Sequence, residues 1–203
     1  MSTYGTMQTR IADELARSDL TSQIKLAIQS AIAHYSGKRF WFNEAQATAS
    51  TSDGTEYYAV PNDFQSIDSL RITVNGTTYT LESQPWVWMD EAQSNSAYKG
   101  QPIYYAIYAQ QFRLYPIPDA VYTLKLSYQK ALGSLSADGD TNAWMVEGER
   151  LIRMRAKWDL FSNVIRTEPD EEAKCKAAEN DELAELQGRT VSQLSVGRII
   201  PSM

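Results

Sequence analysis

The residues of this 203-residue chain that come nearest to doing chemistry are Glu147 and Glu149, two carboxylates in the stretch WMVEGERLIR, residues 144–153. Cleaving a glycosidic bond takes two carboxyl groups about 5 to 9 Å apart in unlike environments, and a pair this close in sequence could contribute to such a site. A simpler account is available. Acids at the head of a helix complement its dipole, and Arg150 and Arg153 lie within pairing reach of them. The sequence therefore assigns no catalytic residue. It holds no nucleophile elbow, no phosphate-binding loop and no dinucleotide fingerprint, and VNGTT (residues 74–78) reads as a hairpin turn. With one cysteine, Cys175, and one histidine, His34, it can form neither an internal disulfide nor a His/Cys metal cluster, so no cofactor and no metal are expected. Cys175 reads as a small packing residue and His34 as a solvated or capping one.

The elements that would carry these residues follow from periodicity. Met7, Ile11 and Leu15 predict a helix over residues 6–17; Ile24, Ile28, Ala31, Ile32 and Tyr35 predict a second over 20–37, stopped by Gly37. From Phe40 to about Leu132 the period falls to two. Strands are predicted over 40–48, 55–60, 66–74, 77–82, 103–108, 112–115 and 121–129, with a short helix inside 83–96. Helical spacing returns in residues 144–166, where Leu151, Met154, Trp158, Phe161 and Ile165 form a core seam and Arg153, Lys157, Leu160 and Val164 form a second face. Pro169 and an acidic first turn open a last helix, with Ala173, Ala177, Ala178 and Ala184 as its inner positions and Gly188 as its stop.

The expected fold class is α+β: a helical bundle formed from N- and C-terminal helices, with an inserted antiparallel β domain. The expected division is 1–39 and 136–188 for the bundle, 40–135 for the insertion and 189–203 for a tail.

Composition narrows the partners. A net charge of −6 argues against a generic nucleic-acid binder. The charge is unevenly spread: residues 168–187 carry −6 and residues 147–166 carry +2, a complementary pair within one chain or between identical subunits. The N-terminal stretch has no signal-peptide character, and no apolar run reaches membrane-spanning length, so a soluble protein made in a cytoplasm is expected. The chain is rich in aromatics, with 12 Tyr and 5 Trp, residues that strands favour and interfaces enrich.

In FRLYPIPDAVYTLKLSY (residues 112–128), two period-2 runs flank PIPDA, which the prolines mark as a turn at a sheet edge; the two runs are expected to pair as an antiparallel hairpin. Together with RFWFNE (39–44), YYAVPNDF (57–64) and WMVEGERLIRMRA (144–156), the segment RLYPIPD (113–119) resembles the head-to-tail adaptor proteins of tailed bacteriophages, also called tail accessory or head-completion proteins. The resemblance runs from about residue 11 to 165. It implies a mostly helical core with a β insertion, assembled as a homo-oligomeric ring, commonly a dodecamer, at the head-tail junction of the virion. Such a ring docks under the portal protein, extends the DNA channel without binding DNA specifically, and offers its lower face to a tail nozzle or tail-tube protein.

Within this frame Arg153, Lys157, Leu160 and Val164 are expected to face a neighbouring subunit. The stretch 189–203 is expected to dock on the portal through Val191, Leu194, Val196, Ile199, Ile200 and Met203, six apolar residues that suit burial better than water. Two other readings come from different classes: a peptidoglycan-cleaving tail accessory hydrolase using Glu147 or Glu149, and a carbohydrate-binding β module of the virion.

Overall fold

The computed structural model describes residues 2–93 and 98–195. It is a mixed α+β structure of two compact units, one built from Met1–Asn43 with Ala131–Met203 and the other from Glu44–Lys130.

The first unit is helical. Helix α1 (Tyr4–Leu15) starts at a reciprocal cap, the Thr3 hydroxyl accepting from the Thr6 amide while the Thr6 hydroxyl accepts from the Thr3 amide. Two further amides of its first turn donate to the loop before the C-terminal helices: Tyr4 to the Asp140 carbonyl at 2.8 Å and Gly5 to that of Asp138 at 2.8 Å. A Cβ at position 5 would lie 2.8 Å from the Cβ of Asp138, so this close approach needs glycine. Helix α2 (Thr21–Ser36) follows and buries Ile24, Ala27, Ile28, Ala31 and Tyr35, essentially the stripe its spacing predicts. The later helices are α4 (Ala143–Val146), α5 (Glu149–Leu160) and α6 (Pro169–Ser195). Residues of α1, α2, α4, α5 and α6 share one hydrophobic core, with Trp144 at 2% exposure stacked edge-on against Phe40 and Phe42.

Phe40, Trp41 and Phe42 are a departure from expectation. The period-2 pattern places them at the head of a strand, yet Phe40 is fully buried in the helical core and residues Trp41–Asn43 form a 3-10 turn. The Asn43 side chain fixes that turn by accepting from the Phe40 amide and donating to the Lys38 carbonyl.

Helix α5 packs against α2 and α6, and its buried residues are Leu151, Ile152, Arg153, Ala156 and Leu160. The expected seam is thus rotated. Leu160, expected on an outer face, is buried, whereas Met154, Trp158 and Ile165 are only partly so. A strict 3-4 alternation supposes one partner along a continuous α-helix, but α5 fills the space between two helices and gives way at Phe161–Ile165 to a π-helical turn that resets the phase. In α6 the buried residues are Cys175, Glu179, Leu186 and Thr190, while Ala173, Ala177 and Ala184 face solvent. The helix also passes through Gly188 to Ser195. An interior glycine costs only about 1 kcal/mol, and burial of Leu186 and Thr190 on either side outweighs it.

The second unit is built on two sheets. Strands β1 (Glu44–Ser50), β10 (Thr123–Lys130), β3 (Phe64–Val74) and β4 (Thr77–Thr80) form one antiparallel sheet in the order β1-β10-β3-β4. The other runs β2-β8-β7-β5, from β2 (Tyr57–Ala59), β8 (Gln111–Tyr115), β7 (Tyr104–Tyr108) and β5 (Glu82–Ser83). Leu70, Ile72, Leu124, Leu126 and Tyr128 from the first and Tyr105, Phe112 and Leu114 from the second make a single core. Helix α3 (Trp86–Gln93) packs on β7. Asn75 and Gly76 both take positive φ, the hairpin turn expected between β3 and β4.

The runs on either side of PIPDA are not a hairpin: β8 lies in one sheet and β10 in the other. The prolines make a crossover, in which Pro116, Ile117 and Pro118 are buried and β9 (Ile117–Pro118) pairs in parallel with β6 (Lys99–Gly100). Strand β8 pairs instead with β7 across Ala109 and Gln110, both at positive φ without the Gly or Asn that would announce such a turn. A short parallel pairing of β5 with β7 is a further exception to the antiparallel rule.

Candidate functional site

Glu147 and Glu149 occupy a break between helices. Glu147 ends α4, Gly148 caps α5, and Glu149 stands in the first turn of α5 where negative charge suits the dipole. Both carboxylates meet guanidinium groups. Glu149 accepts from Arg153 Nε at 3.1 Å and Arg10 Nη1 at 3.4 Å, and Glu147 from Arg189 Nη2 at 3.4 Å. This arrangement ties α5 to α1 through Glu149 and the end of α4 to α6 through Glu147.

The four residues expected at a subunit interface are mostly engaged inside the chain. Arg153 is buried and donates to Glu14 on α1 at 2.7 and 2.9 Å; Lys157 reaches the same carboxylate at 3.0 Å. Leu160 lies in the helical core, and Val164 alone of the four is exposed. Burial works to raise the Glu14 carboxyl, but hydrogen bonds from Lys157 and Arg153 outweigh it and hold the group below the ordinary range. The basic face of α5 thus serves α1. A helix with two apolar sides needs two neighbours, and this chain supplies both.

Two buried charged residues were not singled out by the sequence. Glu179, 1% exposed, accepts from the Tyr35 hydroxyl, from Arg155 Nη1 at 3.2 Å and from Lys176 Nζ at 2.9 Å, joining α2, α5 and α6. Burial would raise its carboxyl, yet Tyr35, Lys176 and Arg155 together hold it below its usual value. Trp158 completes the cluster, with Arg155 4.4 Å and Lys176 4.9 Å from its ring centre. The spacing Cys175, Glu179, Leu186, Thr190 is itself a helical stripe, and an acid on that stripe was the available signal.

In the β unit Arg113, 6% exposed, donates to Glu56, Asp90 and Gln93 and lies against the rings of Tyr57 and Trp86. It pins α3 to the outer face of β8. Around it Trp86 meets Tyr57 and Tyr108, while Trp88 meets Tyr104 and Tyr115, so that these six rings form a half-exposed aromatic surface on one sheet.

His34 stacks edge-on against Tyr35, and burial, with Arg155 and Lys38 nearby, pushes its imidazole below the usual value. Cys175 is buried and its thiol is pushed up by that burial, away from reactivity. Among the described residues no group of three or more His, Cys, Asp or Glu could hold a metal ion, and no helix is long and apolar enough to cross a membrane.

Of the six apolar residues expected to dock on the portal, Val191 sits on α6 at 64% exposure and Leu194 lies in the last turn of that helix. Val196, Ile199, Ile200 and Met203 lie outside the described residues. The start of the expected tail is held by its own unit: the Arg189 guanidinium sits 4.2 Å from the Trp41 ring centre, and the buried Thr190 hydroxyl donates to the Leu186 carbonyl at 2.8 Å.

Residues 2–199 match a family model described as SU10 adaptor protein. No curated protein matches the sequence.

Proposed function

The chain belongs to the SU10 adaptor protein family, and from that premise we propose that it is the subunit of a head-to-tail adaptor ring in a bacteriophage virion. It docks beneath the portal protein, continues the DNA channel, and presents its other face to a tail nozzle or tail-tube protein. The observation that carries this reading is the extent of the family match, residues 2–199, which takes in both the helical and the β unit. The chemistry of the molecule agrees with a structural role, since its buried charges link elements to one another and its two candidate acids are paired with arginines. Net acidity suits a channel through which DNA slides without adhering.

Identical subunits form the ring, twelve by the resemblance of the sequence to tail accessory proteins. Residues beyond 190 are the portal-docking segment: Val191 is exposed on α6, and the apolar residues Leu194, Val196, Ile199, Ile200 and Met203 follow it. Electron microscopy of the protein mixed with the portal protein of its own phage tests this. A ring seated under the portal is expected, and deleting residues 196–203, which leaves the described part of α6 whole, should abolish docking while the chain still folds. A truncated chain that binds the portal as well as the full chain overturns the docking segment; a full chain that never binds overturns the adaptor reading.

A further inference from the structure

Among the described residues no strand pairs with the outer edge of β1 or of β4 in the four-stranded sheet β1-β10-β3-β4, and the two edges match. The Thr51 amide donates to the Tyr122 carbonyl and the Leu81 amide to that of Leu70, so alternation fixes which groups point away from the sheet. On β1 the outward amides and carbonyls belong to Gln46, Thr48 and Ser50; on β4 they belong to Thr78 and Thr80. Natural edges are blunted by lysine, proline, bulges or inward charges. Neither of these is: β1 beyond Glu44 reads AQATAS and β4 reads TTYT, and β1 pairs with β10 in unbroken register. Because the sheet has an even number of antiparallel strands, β1 and β4 run in opposite directions, so β4 of one copy laid on β1 of another continues the antiparallel ladder.

The side chains give this pairing a lock. In the register Ala49, Leu124, Ile72, Tyr79, all four share the face toward the core, yet Tyr79 is 48% exposed beyond the last strand. At the opposite edge, the same face holds a cavity of about 230 Å³, lined by Ala47, Ala49, Val60, Pro61, Phe112 and Leu124 among others. An apolar cavity of about 150 Å³ already admits a benzene ring. When Thr78 and Thr80 of one copy pair with two successive outward residues of the other's β1, Tyr79 stands opposite Ala47 or Ala49, at that cavity. Each alternative register delivers the ring to an alanine.

We propose that a second copy of this chain occupies this edge: β4 of one subunit adds to β1 of the next, with Tyr79 entering the alanine-lined cavity. The contact is head-to-tail, so it propagates into a closed ring or an open filament. It rests on the ring reading above and names the surface by which the subunits join. It also accounts for a pair of edges that, beyond Glu44, carry no charge or proline and would otherwise invite aggregation.

The test uses the full chain, free and bound to its portal protein. Within one chain the row Thr48, Lys125, Arg71, Thr80 spans three strand spacings, about 14 Å. A bismaleimide of about 8 Å span therefore cannot join Thr48→Cys to Thr80→Cys in the same molecule, but reaches between paired edges, where residues lie about 5.5 to 8 Å apart. The double variant is expected to give a ladder of covalent multimers, and neither single variant should. Tyr79→Ala should weaken the ladder at least tenfold with unchanged thermal unfolding, and Thr78→Pro, which removes an outward amide that the monomer does not use, should abolish it. Rings visible by electron microscopy without a ladder overturn the edge pairing and leave the adaptor ring standing. A chain that is monomeric in both settings and gives no ladder overturns both. An undiminished ladder in Tyr79→Ala overturns the seating of the ring in the cavity.

Discussion

The helical unit and the β unit solve the same problem in opposite ways. In the helical unit the Thr3 cap closes the start of α1, and side chains of α1, α2, α5 and α6 find partners inside the unit through the Glu14 latch and the Glu179 cluster. The β unit closes its two sheets over a common core, but among the described residues no strand pairs with the outer edges of β1 and β4. Helices can complete a fold without reference to other molecules, whereas a flat sheet always ends in two rows of unpaired amides and carbonyls unless it curls into a barrel. Under the pairing proposed above, the sheet edges join subunit to subunit while the buried links of the helical unit serve its stability, and mutations should separate the two.

The largest effect is expected at Trp144, buried among Phe40, Phe42 and the backbone of Gly148. Trp144→Ala should cost about 3–5 kcal/mol, read as a lowered unfolding transition of the helical unit. An equal loss in the β unit would mean that the two do not divide the stability as described. Next, Leu160→Ala should cost about 2–4 kcal/mol and Trp158→Ala only about 1–2, since Leu160 is enclosed while Trp158 is a partly exposed ring under two cations. Denaturant titration of both variants checks the order, and the reverse order would restore the 3-4 seam read from the sequence.

Glu179→Gln sharpens the account of the helical unit through pH. The folded carboxyl is held below its unfolded value, so the ionised form contributes stability above about pH 4.3 that is lost as pH falls through the lower folded value. Wild type should therefore lose stability more steeply than Glu179→Gln as pH drops below that point, with a cost at neutral pH of about 1–3 kcal/mol for the variant. Parallel pH profiles would show that the cluster holds no ionised acid. Smallest of all, Glu147→Gln should change stability by less than about 0.5 kcal/mol and leave assembly untouched, because its one arginine partner is a surface pairing. Loss of peptidoglycan clearing in a gel by Glu149→Gln, from a wild type that clears it, would reinstate the hydrolase reading.

Several features follow from sequence because their causes are local. Tyr35 and Ile28 fall on the buried face of α2 by spacing alone, Asn75-Gly76 makes its hairpin because both residues accept positive φ, and Pro169 with its three acids opens α6 at the expected place. The α+β class follows from the change of period, and the family from the order of short motifs along the chain. Partnership is different, since it depends on what lies across space. Nothing in the run from Phe112 to Tyr128 says that its two halves belong to different sheets, because alternation specifies a face and not a neighbour. Leu160 and Trp158 exchanged roles for the same reason: which face of α5 is buried is set by the two helices that flank it. The sequence does not mark Arg113 and Glu179, because burial of an ion is tolerated only where hydrogen-bonding partners converge, and the folded chain brings three to each. The openness of β1 and β4 is likewise a property of the assembled sheet, for a strand is an edge only when no other strand comes to lie beside it.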